Sequence, residues 1–171
     1  VLARVGGAEP REVVKLDGMA QGAVGLGYRR FAAHSSSGEL VRSDLTTDAL
    51  ERARISAGAQ SFLAADPAGR IYIADQGYSA VWVIDQTNRQ LDFIGQGKLS
   101  QPTGVVANRD GTLIFVSDVW NNRVFGFDQE GNLRVAIGQK DEFYNPSGLA
   151  LDEKNSRLYV SDGGTGDRPH R

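Results

Sequence analysis

The sequence predicts an all-β fold built from a repeated four-stranded unit, and three observations lead to that prediction. Glycine is frequent, with 21 residues among 171, against an average of about 7%. Apolar segments are short and rich in β-branched and aromatic residues, as at Ile71–Ala74 and Leu113–Ser117, and such segments are too short for helices. The third observation is an internal repeat of about 43 residues, which indicates one supersecondary unit per repeat.

The repeat is clearest in the second half of the chain. Three segments align in one register: residues 61–85, 103–128 and 147–162. Asp75, Asp118 and Asp162 occupy the same place in these segments, 43 and 44 residues apart. Gly104 and Gly148 are 44 residues apart, each within a Pro-x-Gly sequence. We expect these two glycines to allow close backbone approach at the start of an innermost strand.

Each unit contains four short strands, called A to D in chain order. Strands A and B are predicted at 61–65, 71–75, 103–107, 113–118, 147–151 and 157–161. Strands C and D are predicted at 81–85, 90–94, 123–128 and 133–137. Turn-forming sequences such as Arg109–Gly111 and Gln129–Asn132 separate the strands, which favours a meander.

A weaker copy of the unit precedes these, at residues 17–57. In this copy Phe31–His34 stands where the later units have strand B, so His34 takes the place of the aspartate. Residues 48–55 fit either a short capped helix or strand D, and the register favours the strand. Strands at 1–5 and 11–16 fit the C and D half of a further unit.

Four short antiparallel strands repeated every 40–45 residues are typical of a β-propeller blade. Ankyrin and tetratricopeptide repeats are shorter and helical, and leucine-rich repeats are also shorter and carry a leucine ladder that this sequence lacks, so the sequence argues against all three. We therefore expect a single partial propeller domain over 1–171. Its parts are a half blade at 1–16, blades at 17–57, 60–98 and 101–139, a half blade at 145–162 and an irregular tail at 163–171.

The repeat resembles the NHL repeat, through Asn145–Asp152 with Arg157–Asp162 and through Gln101–Ala107 with Asn121–Asp128. The resemblance extends over 60–162 and is to bacterial six-bladed NHL propellers, whose architecture is WD40-like and TolB-like. It implies that the chain is part of a six-bladed ring. The alternative is a closed ring of four blades, in which strands at 145–162 pair with strands at 1–16. The partial ring is favoured because the family closes six blades.

Composition excludes several functions. There is no cysteine, which excludes disulfides, thiolate metal sites and cysteine nucleophiles. The formal net charge is −2 and the arginines are dispersed, so we expect no nucleic-acid partner. No apolar segment reaches the roughly 18 residues of a membrane span. Because the chain begins with Val1 rather than Met, we expect that an upstream segment has been removed or left out. The sequence does not fix the location, and a periplasmic or extracellular one is favoured over a cytoplasmic one.

The B–C turns and the connections from strand D to the next strand A share one face of a propeller, at the channel mouth. Asp75, Asp118 and Asp162 would form a ring of carboxylates there, and carboxylate oxygens are Ca²⁺ ligands. Alternatively, each aspartate caps its own turn through backbone hydrogen bonds. Because the aspartate recurs in all three later units, the cap and the absence of a cofactor are favoured.

The remaining candidates are a histidine and a group of polar and aromatic residues. His34 is the candidate catalytic residue, since histidine is the usual acid–base group, although sequence drift in the weakest unit explains it as well. Tyr78 and Trp120 lie in the B–C turns, where exposed aromatic side chains are typical anchors of interfaces. The other candidates for the binding face are Asn121, Tyr144 and Asn145.

These features predict a non-enzymatic scaffold that binds a protein or a small ligand through this face. The alternative function is a metal-dependent enzyme of the lyase or lactonase type, with its site at the channel mouth. Open blade edges also predict association with missing blades or with a second copy.

Overall fold

The structure is a computed structural model that describes residues 2–4, 11–27, 30–44, 46–47, 49–57, 61–139 and 142–164. The strands of these residues, in chain order, are β1 (Leu2–Arg4), β2 (Arg11–Val14), β3 (Ala20–Gly25), β4 (Arg30–Ser35), β5 (Glu39–Asp44), β6 (Ala49–Arg54), β7 (Ser61–Ala65), β8 (Ile71–Asp75), β9 (Ala80–Ile84), β10 (Gln90–Ile94), β11 (Pro102–Ala107), β12 (Leu113–Asp118), β13 (Arg123–Asp128), β14 (Leu133–Ile137), β15 (Pro146–Asp152) and β16 (Arg157–Asp162). A single turn of 3-10 helix, Glu153–Asn155, separates the last two.

The strands form three four-stranded antiparallel meanders, β3–β6, β7–β10 and β11–β14, and two two-stranded sheets, β1–β2 and β15–β16. This confirms the prediction of an all-β chain with three full blades and two half blades. The ten strands predicted between 61 and 161 all occur, with ends within one residue of those predicted. Residues 49–54 form β6, so the helix alternative at 48–55 is wrong. The last seven residues of the predicted tail lie outside the described residues.

Adjacent blades pack face to face through alternate side chains of their middle strands. Since successive side chains of a strand point to opposite faces, β8 contributes to two clusters. Ile73 packs toward the preceding blade with Leu40 and Trp82, whereas Tyr72 packs toward the following blade with Val116. The core therefore lies between blades, and the loops at each end of the strands remain available for other roles.

The two half blades do not join. β15–β16 and β1–β2 are separate sheets, and no strand pairing connects them among the described residues. The closed four-blade alternative is therefore wrong for this structure, because the pairing that would close the ring is not formed. In the part of the chain that the structure describes, no helix is long and apolar enough to cross a membrane.

Candidate binding face

The B–C turns and D–A connections at one end of the blades form a continuous surface. Hydrogen bonds join them: for example, Ser79 Oγ donates to the Ser100 carbonyl at 2.7 Å, Gln101 Nε2 to Gln76 Oε1 at 3.3 Å, and Asn121 Nδ2 to the Lys98 carbonyl at 3.2 Å. We call this surface the loop face, defined by residues 76–79, 95–101, 119–122 and 142–145.

Asp118 organises the loop face from beneath it. Its buried carboxylate accepts hydrogen bonds from the backbone N–H groups of Ser100 at 2.6 Å and Gln101 at 3.1 Å. It also accepts one from the N–H of Asn121, in its own B–C turn, at 3.0 Å. One side chain at the end of β12 thus fixes both the connection that enters the blade and the turn that follows.

The carboxylates of Asp162 and Asp75 also accept hydrogen bonds from nearby residues. Asp162 accepts from the backbone N–H groups of Tyr144 and Asn145, the latter at 2.7 Å. Asp75 accepts from the N–H of Gly77 at 2.8 Å and from the Trp82 indole at 3.0 Å. Among the described residues, no group of three or more His, Asp or Glu side chains is arranged to hold a metal ion.

Strand register corrects the alignment of His34. Asp118 lies opposite Pro102 in the ladder, and the residue in the equivalent place of the first blade, opposite Ala20, is Ser35. His34 instead takes the place of Ser117, one residue earlier. The repeat alignment placed it wrongly because the first B–C turn is one residue shorter. His34 pairs with Leu40, so the turn between Ser35 and Glu39 consists of residues 36–38, whereas Asp118 pairs with Arg123 across residues 119–122.

The cap of the first blade is supplied by other residues. Glu39 accepts a hydrogen bond from the N–H of Asp17, in the connection that enters this blade, at 2.6 Å. That N–H, together with the Arg52 guanidinium, holds the pKa of the Glu39 carboxyl below its usual value. Ser36 Oγ accepts from the N–H of Met19. The sequence analysis missed Glu39 because it sits on strand C rather than strand B.

His34 is fully buried between the first two blades. Neither ring nitrogen makes a hydrogen bond of normal geometry to the described residues. Burial lowers the pKa of the imidazole, and the nearby Asp75 carboxylate and the Ala57 carbonyl offset this only in part. A buried ring that faces the next blade is positioned for packing rather than for contact with a substrate on the loop face.

Two aromatic side chains project from the loop face. The Trp120 side chain is 73% exposed and the Tyr78 side chain 54% exposed. Tyr78 contacts the buried Trp82 ring edge-on, with ring centroids 5.0 Å apart. Its backbone N–H donates to Asp75 at 3.2 Å. The turns that carry both residues are fixed, while the rings themselves face solvent.

The three other candidates differ in accessibility. Asn121 is half-buried, and its amide also donates to Ser100 Oγ at 3.2 Å, so it supports the turn. Tyr144 is half-buried, with its hydroxyl oxygen enclosed. Asn145 is exposed and is held through its backbone N–H. Of the five candidates for the binding face, Trp120, Tyr78 and Asn145 are therefore the ones that the structure exposes to solvent.

The structure adds two residues that the sequence analysis did not single out. Ser79 and Asn122 are 43 residues apart and both have left-handed backbone conformations, with φ of 51° and 50°. Ser79 binds the Ser100 carbonyl, and Asn122, with its amide nitrogen oriented toward the acceptor, lies 2.8 Å from the Tyr144 carbonyl oxygen. Each side chain links a B–C turn to the next blade. Their shared spacing is the signal that could have identified them.

A cavity of about 410 Å³ lies at the opposite end of the first two blades. Its walls include the side chains of Arg30, Arg42, Asp44 and Glu51. The Arg42 guanidinium is occupied by hydrogen bonds to the second blade. This cavity is separate from the loop face.

Comparisons with known proteins agree with this architecture. Residues 99–127 match the NHL repeat family, and no curated protein sequence matches the chain. Kuenenia stuttgartiensis hydrazine synthase has a similar fold, with a TM-score of 0.72 and 19% identity over 90% of this chain and 45% of that one. Virginiamycin B lyase from Staphylococcus aureus, in an inactive form with quinupristin, gives 0.69 and 14% over 83% and 48%. A nidogen–laminin complex gives 0.71 and 21% over 84% and 56%.

The chain thus spans about half the length of each of these solved structures. At identities below 25%, the likeness shows the fold alone, and it includes both enzymes and a protein complex. The family match falls on the third blade, where Asp118 binds both the connection that enters the blade and the B–C turn. The chain therefore has the fold of a partial β-propeller, and residues 99–127 within it match an NHL repeat.

Proposed function

We propose that the chain is a non-enzymatic propeller scaffold that binds a protein or small ligand through the loop face. The observation that carries this proposal is the exposure of Trp120 on a turn that is otherwise fixed. Tryptophan and tyrosine dominate the binding energy of many interfaces. An aromatic side chain on a rigid support also loses little conformational entropy on binding.

The aspartates support a scaffold rather than a metal site. The carboxylate oxygens of Asp118 and Asp162 accept backbone N–H groups of their own blades. A cation would have to displace these donors, which would leave buried N–H groups without partners. Their geometry fits a cap that holds the turns in place.

The alternative remains a metal-dependent lyase or lactonase acting at the channel mouth. It is favoured by the similarity in fold to virginiamycin B lyase. The two functions differ in one measurable property. A metal-dependent enzyme gains thermal stability on loading with its ion, and a chelator removes that gain, whereas the scaffold has a melting temperature that does not respond to Ca²⁺, Zn²⁺ or chelator.

The two tryptophans of the chain provide an internal test of the binding face. Trp82 is buried, whereas Trp120 is exposed, so a protein labelled with fluorotryptophan should give one protected and one accessible ¹⁹F signal. We expect fractionated extract of the source organism to contain a component that shifts the Trp120 signal and leaves the Trp82 signal in place.

The matched variants are Trp120→Ala and Leu133→Ala, the latter on the exposed outer strand β14. We expect Trp120→Ala to weaken binding of that component about tenfold or more, the loss typical of a central aromatic anchor. Leu133→Ala should bind as the unaltered protein does. A component that binds equally well to Trp120→Ala would contradict the proposal.

A further inference from the structure

His34 occupies a buried position that the other two complete blades fill with small side chains. By strand register it takes the place of Ser117 in the third blade. Ala74 holds the same place in the second blade, one residue before the aspartate. All three side chains are fully buried. Of the three complete blades, the first is therefore the one with a titratable group at this place.

The imidazole lies at the interface between the first and second blades. His34 pairs with Leu40 of β5, and paired residues of neighbouring strands project to the same face of a sheet. On that face Leu40 packs with Ile73 and Trp82 of the second blade. Ala57, in the connection between the two blades, belongs to the same buried cluster. Apolar groups of both blades therefore surround the position of the ring.

The interface offers little to a second ring N–H. A neutral imidazole has one donor and one acceptor, whereas the charged form has two donors. Neither ring nitrogen of His34 makes a hydrogen bond of normal geometry to the described residues. At the equivalent place, the Ser117 hydroxyl donates to the Ser147 carbonyl of the next blade at 2.6 Å. A proton on His34 would therefore place a charge where few groups can solvate it.

Asp75 is the charged residue that acts on His34 from the second blade. Its carboxylate already accepts hydrogen bonds from the Gly77 N–H and the Trp82 indole. Burial lowers the pKa of His34, and the Asp75 carboxylate and the Ala57 carbonyl raise it by a smaller amount. The folded protein thus opposes uptake of a proton by His34.

The other charged side chains around the first blade lie away from the imidazole. The pairs Arg52–Glu39 and Arg54–Asp17 are on the opposite face of the sheet, because residues 39, 52 and 54 alternate with those that share the face of His34. The charged residues at the opposite end of the blades, around the cavity, are Arg30, Arg42, Asp44 and Glu51. Strand β7 and residues 58–60 contain no ionisable side chain.

We propose that the interface between the first two blades is an acid-sensitive joint, in which uptake of a proton by His34 loosens the packing of the second blade on the first. The ordinary pKa of the imidazole is 6.5, and the pKa in the folded state lies below it. The joint therefore keeps its full stability above pH 6.5 and loses it as the pH falls toward the folded-state pKa. The Glu39 carboxyl has an ordinary pKa of 4.5, so its own contribution is lost at lower pH.

Urea unfolding of the 171-residue chain at about pH 7 and about pH 5 tests the joint, because histidine is the side chain that ordinarily titrates in this range. One histidine changes the unfolding equilibrium constant by up to about tenfold per pH unit, and we expect an increase of at least about threefold at the lower pH. His34→Ala and His34→Ser introduce the residue types of the second and third blades and should abolish this increase. His170→Ala removes the other histidine of the chain and should retain it. The same pH dependence in the unaltered protein and in the His34 variants would overturn the proposal.

Hydrogen exchange locates the effect within the molecule. After correction for the intrinsic pH dependence of exchange, we expect the lower pH to reduce the protection of β4 and β8, on the two sides of the joint. The protection of β12 and β13 in the third blade should fall by a smaller factor. In His34→Ala or His34→Ser the factors should be equal for all four strands. Equal loss of protection in the four strands of the unaltered protein would overturn the proposal, because acid would then act on the whole chain rather than on the joint.

Discussion

Gly104 illustrates how closely adjacent blades approach at the scale of a single residue. A Cβ at this position would overlap the Ser147 carbonyl of the next innermost strand and would lie 2.7 Å from Ser117 Oγ. That hydroxyl accepts a hydrogen bond from the Gly104 N–H at 2.7 Å and donates to Ser147. The expected close approach at Gly104 is therefore confirmed, and it is an approach of backbone to backbone.

We predict that Gly104→Val lowers the free energy of unfolding by about 1–3 kcal/mol, because two innermost strands must separate to admit the side chain. The measurement is the urea midpoint. Gly25→Val is the matched control, since a Cβ at Gly25 meets no atom within 4 Å. An unchanged urea midpoint for Gly104→Val would contradict the prediction, because the two strands would then separate without loss of stability.

His34 and Ser35 also belong to the residue scale, because a shift of one position decides what each side chain does. In a strand, adjacent residues point to opposite faces. Ser35 takes the capping position, where its Oγ accepts from the N–H of Glu39 at 3.3 Å, and His34 turns into the interface between blades. Its role as a catalytic candidate stays a prediction, whereas its burial is an observation.

At the scale of the element, Asp118 at the end of strand B holds both loops of the third blade. Its carboxylate binds the backbone N–H groups of Ser100 and Gln101, 18 and 17 residues earlier in the chain, and that of Asn121 in the turn that follows. A carboxylate suits this position because it only accepts hydrogen bonds and because its three partners are backbone N–H donors. Asp118 thereby fixes the positions of both loops relative to strand β12.

We predict that Asp118→Asn lowers the free energy of unfolding by about 1–2 kcal/mol, because an amide NH₂ would face backbone donors. Asp75→Asn should have a similar and additive effect, since the two side chains act in different blades. Thermal melts with Ca²⁺ or chelator should coincide. Asp110→Asn, in an exposed A–B turn, is the control. Non-additive effects together with a chelator-sensitive melt would instead indicate one shared ion.

At the scale of the whole molecule, the blades are held together at both ends as well as through their apolar faces. At the end opposite the loop face, Arg42 of the first blade reaches into the second. Its guanidinium donates to the Gly69 carbonyl at 2.8 Å, the Asp85 carbonyl at 2.6 Å and Asn88 Oδ1 at 2.6 Å. This single side chain joins β5 to two turns of the next blade.

We predict that Arg42→Met lowers the free energy of unfolding by about 2–3 kcal/mol, because it leaves these three acceptors without their donor in a mostly buried site. Arg89→Met is the control. Arg89 approaches the same Asp85 at 3.5 Å but its side chain is largely exposed, so its loss should cost well below about 1 kcal/mol. Equal urea midpoints for the two variants would contradict this assignment.

The strands and the repeat were predictable because their causes are local. Alternating apolar residues, glycine and turn-forming residues act over a few positions. The recurrence at about 43 residues then shows the same pattern again in each later unit, which supports each strand assignment. The places of Tyr78 and Trp120 on B–C turns follow from the same local pattern. The third blade, with the family match at 99–127, was the most predictable part.

The sequence by itself determined the all-β class, the strand positions and the division into blades and half blades. Only the tertiary structure decided that Ser35 rather than His34 stands in the aspartate position, that Glu39 completes the first cap, and that the two half blades stay apart. The reason is physical: these outcomes depend on contacts between residues far apart in the chain. Whether such contacts form depends on turn length, on burial and on competition between partners, and a local sequence pattern encodes none of these.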